Sequence, residues 1–350
     1  MTSPSLPPCG NWKHRRMRSR HHLQPTIPPA RVSAKPTPPL KEVPMNEFLH
    51  RPVSAYPLAF FRIIWGIFLL YYYLSSYWIF NLYFGELAFF YTPGLTSAPP
   101  IMQWSLFYWM DASPAFFHGV YAVALASAVG MLLGWRTRLC AVLTFACAIS
   151  LITPVPWGTN SADQLVKILS FLFMAVSLCG FTQRAYSLDA RADTKSSAEP
   201  GMIPVWSYRL FQVQLCAVYF FSGLAKAGKV DWQNGQAMDI VFRQTDSWMR
   251  LDLGLADYPA LTALLTTSTL LFELVFFPLL VWFRSTRLWI LAAGVVFHVF
   301  IVATMKVFIF TEVMILFYFA FLKEHEVRTC FTCVQSLFRR PAAPTPERAG

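Results

Sequence analysis

The sequence predicts an all-α fold, a bundle of helices that crosses a membrane several times. Two observations predict it. The 350 residues are 55% hydrophobic and only 13% charged, whereas a soluble domain is about a quarter charged. Several apolar runs also reach the roughly 20 residues that cross a bilayer core as a helix. Runs such as FFRIIWGIFLLYYYL lack the alternation of a transmembrane β-strand, which disfavours a β-barrel.

The first segment, residues 1–50, is predicted to be a disordered tail. It is rich in proline and carries eight lysines and arginines against Glu42 and Glu47. A segment of this composition cannot bury a core. Basic tails more often set membrane topology or contact anionic lipid than bind nucleic acid, so we expect no nucleic-acid partner. An Arg-rich start can also mimic a transit peptide, and Met45 is an alternative start of translation.

Eight apolar segments within residues 52–322 are predicted to span the membrane. They are residues 57–79, 114–134, 138–156, 163–181, 204–225, 259–283, 286–304 and 307–322. The last two form one apolar run that is too long for a single crossing. We therefore place a turn between them near Met305 and Lys306.

The distribution of lysine and arginine predicts that both termini lie in the cytoplasm. Basic residues occur in every second connection, whereas segments 80–113 and 157–162 contain none. The exception is segment 226–258, which carries four cations on the predicted outer side. We expect a multi-pass integral protein of a bacterial plasma (inner) membrane, surrounded by bilayer lipid.

The cysteines do not predict a metal centre. Seven are scattered along the chain, and only Cys330 and Cys333 form a CxxC pair, in the predicted cytoplasmic tail 323–350. One such pair supplies at most half of a tetrahedral site. No metal is therefore expected.

The stretch YFFSGLAKAGKVDWQNG places Lys226 and Lys229 where an apolar run ends. Ionisable side chains inside hydrocarbon are costly and mark functional sites by default. Lysines at helix ends also extend their amines to lipid headgroups, which is the favoured interpretation of Lys229. Loss of hydration disfavours a charged amine, and a neutral amine at Lys226 can accept a proton.

Heights along the helices, at about 1.5 Å per residue, place Lys226, His298 and Glu312 in the outer half of the bundle, with Asp163 and Lys167 beside them. This group predicts an acid–base site in a pocket near the outer leaflet, with the first three residues as catalytic candidates. A single histidine on an apolar helix, such as His298, is more often a hydrogen-bonded core residue than a ligand.

Two further charged residues lie nearer the inner half of the bundle. They are Arg62 in the first span and Glu273 in the sixth. A paired charge is far less costly in an apolar interior than an isolated one. We therefore expect Arg62 and Glu273 to form a structural ion pair that joins two helices.

An ordered set of motifs resembles the membrane domain of vitamin K-dependent γ-glutamyl carboxylases, the HTTM family. The motifs are FRIIWG (61–66), GMLLGWRTRL (130–139), the stretch IPVWSYRLFQVQLCAVYFFSGLAKAGKVDWQNGQAM (203–238), Glu273 and Phe297-His298. The resemblance extends over roughly residues 52–322 and implies a membrane-embedded fold.

The resemblance also implies chemical roles. In the carboxylases, the lysine matching Lys226 is the base that deprotonates vitamin K hydroquinone. The resemblance therefore implies that the molecule bound here is reduced vitamin K or menaquinone, a lipid-soluble small molecule. Gln214, Tyr219 and Trp232 lie in the strongest matching stretch and are candidate contacts of that molecule.

Two departures argue against protein carboxylation. A histidine assists catalysis in the carboxylases, but the corresponding stretch Thr159-Asn160-Ser161-Ala162 has none. The carboxylases also carry a large soluble domain after the membrane part, whereas we expect only the short tail 323–350 here. We expect a compact relative that acts on a quinol or a related redox molecule. The alternatives are a non-catalytic membrane subunit, whose protein partner the sequence does not identify, and a small-solute carrier. A carrier typically has inverted repeats, which are not apparent.

Overall fold

The protein is built almost entirely from helices. The computed structural model describes residues 45–86, 104–110, 113–154, 160–192, 201–244, 250–329 and 332. The basic tail before residue 45 and the Cys330–Cys333 pair lie outside these described residues. Within them, strand is confined to two short segments, which confirms the all-α prediction.

The described residues include fourteen α-helices that are described over their full length, and residues 324–329 are also helical. They are α1 (Met45–His50), α2 (Tyr56–Phe84), α3 (Leu106–Trp109), α4 (Pro114–Leu133), α5 (Thr137–Ile152), α6 (Ser161–Leu178), α7 (Leu188–Ala192), α8 (Trp206–Ala227), α9 (Val230–Gln233), α10 (Ala237–Arg243), α11 (Pro259–Leu271), α12 (Phe277–Leu280), α13 (Arg287–Thr304) and α14 (Phe310–Phe317). A π-helical segment, Phe272–Phe276, joins α11 to α12, and a 3₁₀ turn, Tyr318–Phe321, follows α14.

Two short strands join the chain before α2 to the chain before α8. Strand β1 (Pro52–Ser54) pairs antiparallel with β2 (Met202–Pro204), with Val53 opposite Ile203. The Tyr208 hydroxyl donates a hydrogen bond of 2.6 Å to the Ser54 carbonyl. The beginnings of α2 and α8 are thus fixed side by side at one end of the bundle.

Six helices in the described residues are long and apolar enough to span a membrane. They are α2, α4, α6, α8, the helix Pro259–Leu280 and α13. Two shorter apolar helices, α5 and Phe310–Phe321, occupy the other two predicted segments. The count of eight crossings and the cytoplasmic termini remain predictions. The turn near Met305 is confirmed, because α13 ends at Thr304 and Met305 is extended.

The first half of the bundle, α2 with α4 to α6, packs around aromatic rings. Trp65 stacks on Phe173 with 5.5 Å between ring centroids, and Phe61 contacts the same ring at 4.9 Å. Gly66 lets α2 approach α4 closely, because a Cβ at this position would lie 2.6 Å from the Leu132 backbone nitrogen. Close packing of this kind leaves little room for a ligand.

Arg62 joins the end of α4 to the chain before α7. Its fully buried guanidinium donates to the carbonyl oxygens of Met131 and Tyr186, each at 2.6 Å. Gly134 ends α4 at a φ of 66°, and a Cβ there would lie 2.5 Å from Arg62 Nη1. A cation at the carbonyl end of a helix is electrostatically favourable. The predicted ion pair between Arg62 and Glu273 is therefore wrong, because the Arg62 guanidinium is hydrogen-bonded to backbone carbonyl oxygens instead.

Candidate functional site

The second half of the bundle encloses an apolar cavity of about 490 Å³. Its wall is formed by α8 to α11, the π-helical segment, α13 and α14. Most of the lining is aromatic or aliphatic, including Phe272, Phe297 and Phe300. A cavity of roughly 300–1,000 Å³ with apolar walls and a few placed polar groups is typical of small-molecule sites.

One face of α8 supplies three of the polar side chains in the cavity wall. Tyr219, Ser222 and Lys226 are spaced by three and four residues, so they lie on one side of the helix. Lys226 is in the last turn, where its Nζ donates to Ser222 Oγ at 2.6 Å. The same amine lies 5.5 Å from the ring centroid of Trp232 in α9, within reach of a cation–π interaction.

The partner of Lys226 across the cavity wall is Glu273. Lys226 Nζ and Glu273 Oε2 are 2.5 Å apart, and their side chains are 26% and 7% exposed. A buried carboxylate is strongly disfavoured unless it is paired and hydrogen-bonded. The amine therefore stabilises the carboxylate in its apolar surroundings, and the carboxylate in turn fixes the position of the amine.

Glu273 occupies the π-helical segment Phe272–Phe276. A π-turn is wider than an α-turn and is frequent at functional sites. Pro278 follows the segment, and a proline cannot donate to the carbonyl four residues earlier, which favours such a distortion. Gly223 of α8 permits the approach, because a Cβ there would lie 3.0 Å from Glu273 Cβ and 2.8 Å from Leu274 Cγ.

A short chain of hydrogen bonds runs along another part of the wall. The Tyr219 hydroxyl is bonded to His298 Nε2 at 2.8 Å and also to the Tyr318 hydroxyl. The Tyr219 ring stacks on Phe277 with 4.0 Å between centroids. His298 is buried, and its Nδ1 has no hydrogen-bond partner among the described residues. Buried polar atoms are rarely unpaired, so this nitrogen can accept or donate a bond to a ligand.

The structure brings together most of the predicted site. Four of the six predicted catalytic and binding residues line the cavity: Lys226, His298, Tyr219 and Trp232. Gln214 does not, because it lies about half a turn away from Tyr219 around α8. Glu312 is exposed in the first turn of α14, whereas its neighbours Thr311 and Val313 are buried. The structure therefore contradicts two predictions, that Glu312 is a catalytic group and that Gln214 contacts the ligand.

Asp163 and Lys167 are also absent from the cavity wall. The Asp163 carboxylate accepts hydrogen bonds from the Asn160 backbone N–H at 2.7 Å and from the Tyr72 hydroxyl at 2.6 Å. With the Asn160 side chain it forms a capping box at the start of α6, a stabilising device for helix ends. The predicted outer group of five ionisable residues is thus divided: Lys226 and His298 line the cavity, Asp163 and Lys167 lie on α6, and Glu312 is exposed outside the cavity wall.

Two further residues at the site, Ser222 and Tyr318, were not predicted from the sequence. Ser222, one turn before Lys226, could have been found from its helical spacing. Tyr318 carries no such signal, because only the packing of the 3₁₀ turn after α14 onto α8 brings its hydroxyl to Tyr219. Within the described residues, no group of three potential ligands among His, Cys, Asp and Glu lies close enough to hold a metal ion.

The Lys226–Glu273 pair gives the cavity one clear chemical capacity. The two groups face each other at 2.5 Å on a wall that is mostly aromatic or aliphatic. Because electrostatic attraction is stronger in apolar surroundings than in water, the pair can hold a polar or charged group of a ligand in place.

A family model covers most of the chain. The HTTM domain matches residues 50–325, a range that includes all six span-like helices and every helix of the cavity wall. No solved structure matches the chain. The apolar helices and this match make it an integral membrane protein that belongs to the HTTM family.

Proposed function

We propose that this HTTM protein binds a lipid-soluble hydroquinone, such as reduced menaquinone or vitamin K, and removes a proton from one of its hydroxyl groups. The observation that carries the proposal is the Lys226–Glu273 pair on the wall of a largely apolar cavity. A bacterial plasma membrane is the proposed location, and its lipid phase would supply such a molecule.

The lining residues fit an aromatic ring with polar substituents. Phe272, Phe297 and Trp232 offer ring faces and edges, which favour offset or edge-to-face contacts with another ring. His298 Nδ1 lacks a partner among the described residues and would bond one oxygen of the ring. The ion pair would face the other oxygen, so the two polar groups orient the molecule.

The count of protons and charges in this transfer is the same whether Lys226 or Glu273 is protonated at the start. The pair begins with one proton and no net charge, and it ends as an ammonium beside a carboxylic acid, with a net charge of +1. The hydroquinone loses one proton and becomes a monoanion. The lone neutral lysine of the sequence-based hypothesis is thus replaced by a lysine–carboxylate pair, in which the cation also stabilises the anion that forms.

Oxygenation of that anion is the step that the family resemblance suggests, with dioxygen as the oxidant. One oxygen atom of dioxygen enters the epoxide and the other leaves as water with the two hydroxyl protons, so the four electrons that the hydroquinone loses reduce one dioxygen molecule. Protein carboxylation is not part of the proposal. At the stretch where the carboxylases carry a catalytic histidine, Asn160 caps α6 by accepting a hydrogen bond from the Ala162 N–H at 2.7 Å.

The test measures consumption of reduced menaquinone and formation of its epoxide in air by the purified full-length protein in bilayer nanodiscs. We expect wild type to turn over and Lys226→Met to be slower by about 100-fold or more, the usual contribution of a proton-transfer group. The matched control is Lys229→Met, because Lys229 is exposed and should retain full turnover.

Equal turnover in wild type and Lys226→Met would overturn the role of the pair. Failure of wild type both to bind and to consume the quinol would favour a non-catalytic membrane subunit. Thermal unfolding of each variant identifies loss of activity that is caused by loss of fold.

A further inference from the structure

A second cleft, of about 360 Å³, lies at the opposite end of α8 from Lys226. It is formed where four segments meet: the chain around β1, the first turns of α8, the connection from α12 to α13, and residues 321–324 at the end of the 3₁₀ turn that follows α14. All four segments lie on the predicted cytoplasmic side. Five basic side chains line it: Arg51, Arg209, Arg284, Arg287 and Lys323.

The positive charge of this cleft is only partly compensated within the described residues. Glu324 is the one acidic side chain in the described lining, and it pairs with Arg328 at 2.7 Å. Glu326 pairs with Arg287. None of the other four basic groups has a carboxylate within ion-pair distance in the described part of the chain.

Two buried guanidinium nitrogens in the cleft also lack hydrogen-bond partners among the described residues. Arg287 is 8% exposed, and its Nε makes no hydrogen bond with the described residues. The Nε of Arg209 is likewise buried without a hydrogen bond, although Nη1 donates to Gln212 at 2.9 Å and the guanidinium lies 4.5 and 5.2 Å from the ring centroids of Phe48 and Trp282. Buried N–H groups of charged side chains are costly when unpaired. Their position predicts an acceptor that the described protein atoms do not supply.

The electrostatics of Lys323 point in the same direction. Partial burial, and then the neighbouring Arg287 and Arg284 guanidinium groups, lower the pKa of the Lys323 amine. A cation crowded by other cations is stabilised when an anion binds between them. Guanidinium groups match phosphate oxygens in geometry as well as in charge.

We propose that this basic cleft binds the phosphate of an anionic phospholipid headgroup in the cytoplasmic leaflet. Membrane proteins recognise anionic headgroups through basic pockets on the cytoplasmic side. The cleft wall also carries Trp282 and Phe321, and tryptophan is enriched at the level of the headgroups. A zwitterionic headgroup is disfavoured, because its ammonium would meet the same cations.

The test follows the thermal unfolding midpoint of the purified full-length protein in detergent while phosphatidylglycerol, phosphatidylcholine or inorganic phosphate is added. A ligand that binds the folded state raises this midpoint. We expect phosphatidylglycerol to raise it by several degrees and phosphatidylcholine to have little effect. A comparable rise with inorganic phosphate would support a phosphate-binding cleft, but it would show that the phosphate can come from a soluble anion and not only from a lipid headgroup.

The test variant is Arg284→Gln with Lys323→Gln, since both side chains are exposed and their loss should leave the fold intact. We expect it to lose at least half of the rise. The control is Arg243→Gln, which removes an exposed arginine outside the cleft that pairs with Asp239. An equal rise in wild type and the double variant, or an equal rise with the two lipids, would overturn the proposal. Arg284→Gln alone serves if the double variant does not fold.

Discussion

The two halves of the bundle differ in how much of their apolar surface they bury. In the most apolar 18-residue stretches of α2, α4 and α6, 56%, 44% and 56% of the residues are buried. The corresponding shares in α8, the helix Pro259–Leu280 and α13 are 28%, 17% and 28%. The first half is a packed scaffold, whereas the second half leaves the space in which the cavity forms.

Each half contains a cation that sequence reasoning singled out, and the two are used differently. Arg62 is fully buried and donates to backbone carbonyl oxygens, so its role is structural. Lys226 is partly exposed, faces a carboxylate and lines the cavity. A charge in a membrane bundle therefore does not by itself indicate chemistry, because the acceptor and the neighbouring space decide its role.

The largest effect on stability is expected in the scaffold. Arg62→Ala should lower the free energy of unfolding by about 4 kcal/mol, because it leaves buried carbonyls unpaired and opens a cavity. Denaturant unfolding in detergent measures it. Arg191→Ala, at an exposed arginine of α7, is the control. A loss no larger than that of the control would show that the first half does not depend on this arginine.

The next effect concerns the ion pair in the cavity half. Lys226→Met alone leaves the Glu273 carboxylate buried without a partner and should destabilise the fold by about 3 kcal/mol. Glu273→Leu combined with Lys226→Met should recover most of that loss, while turnover stays low. A double-mutant cycle of unfolding free energies checks both expectations. Independent, additive losses would contradict the pairing.

A smaller effect is expected where α8 meets the π-helical segment. Gly223→Ala places a methyl group 2.8 Å from Leu274 Cγ, and such overpacking costs about 1–3 kcal/mol. The helices should move apart and lengthen the Lys226–Glu273 contact. Turnover should therefore fall by a larger factor than the loss of folded protein alone would explain. The control is Gly228→Ala, whose Cβ would meet only backbone oxygens at 3.8 Å and beyond. Equal turnover in the two variants would show that this approach is unimportant.

The hydrogen-bond chain should contribute less. Tyr318→Phe removes the hydroxyl that is bonded to Tyr219 and leaves the bond between Tyr219 and His298. We expect a loss of about 1 kcal/mol with nearly unchanged quinol binding. Equilibrium unfolding and quinol titration measure the two quantities. Abolished binding would place Tyr318 in the ligand site itself.

The smallest effect is expected at Glu312, which is exposed. Glu312→Gln should change stability by less than about 0.5 kcal/mol and should leave turnover unchanged. A large loss of turnover would restore this residue as a catalytic candidate, because it would show that a residue outside the cavity wall contributes to turnover.

The sequence could predict heights along the helices but not directions around them. Apolar length located the span-like helices and the turn at Met305, and the rise per residue brought Lys226 and His298 to one region. It could not separate Glu312, which is exposed, from Thr311 and Val313, which are buried. That choice depends on rotation of about 100° per residue and on the partner helix.

Glu273 was assigned the wrong partner for a related reason. Its height suggested Arg62, but the π-turn and the approach permitted by Gly223 direct it to Lys226. Neither the wider turn nor the carbonyl acceptors of Arg62 follow from hydrophobic periodicity, because both are set by tertiary packing.

Photoaffinity labelling tests the central claim most directly, namely that the space beside the ion pair holds a lipid-soluble hydroquinone. The full-length protein in nanodiscs would be labelled without oxygen by a naphthohydroquinone that carries a diazirine, and the modified peptides would be mapped by mass spectrometry. We predict label in the cavity-wall segments 268–276 and 297–301, removed by excess reduced menaquinone. Label spread over outward-facing positions such as Leu74 and Trp289, which are exposed on α2 and α13, and insensitive to the competitor would contradict it.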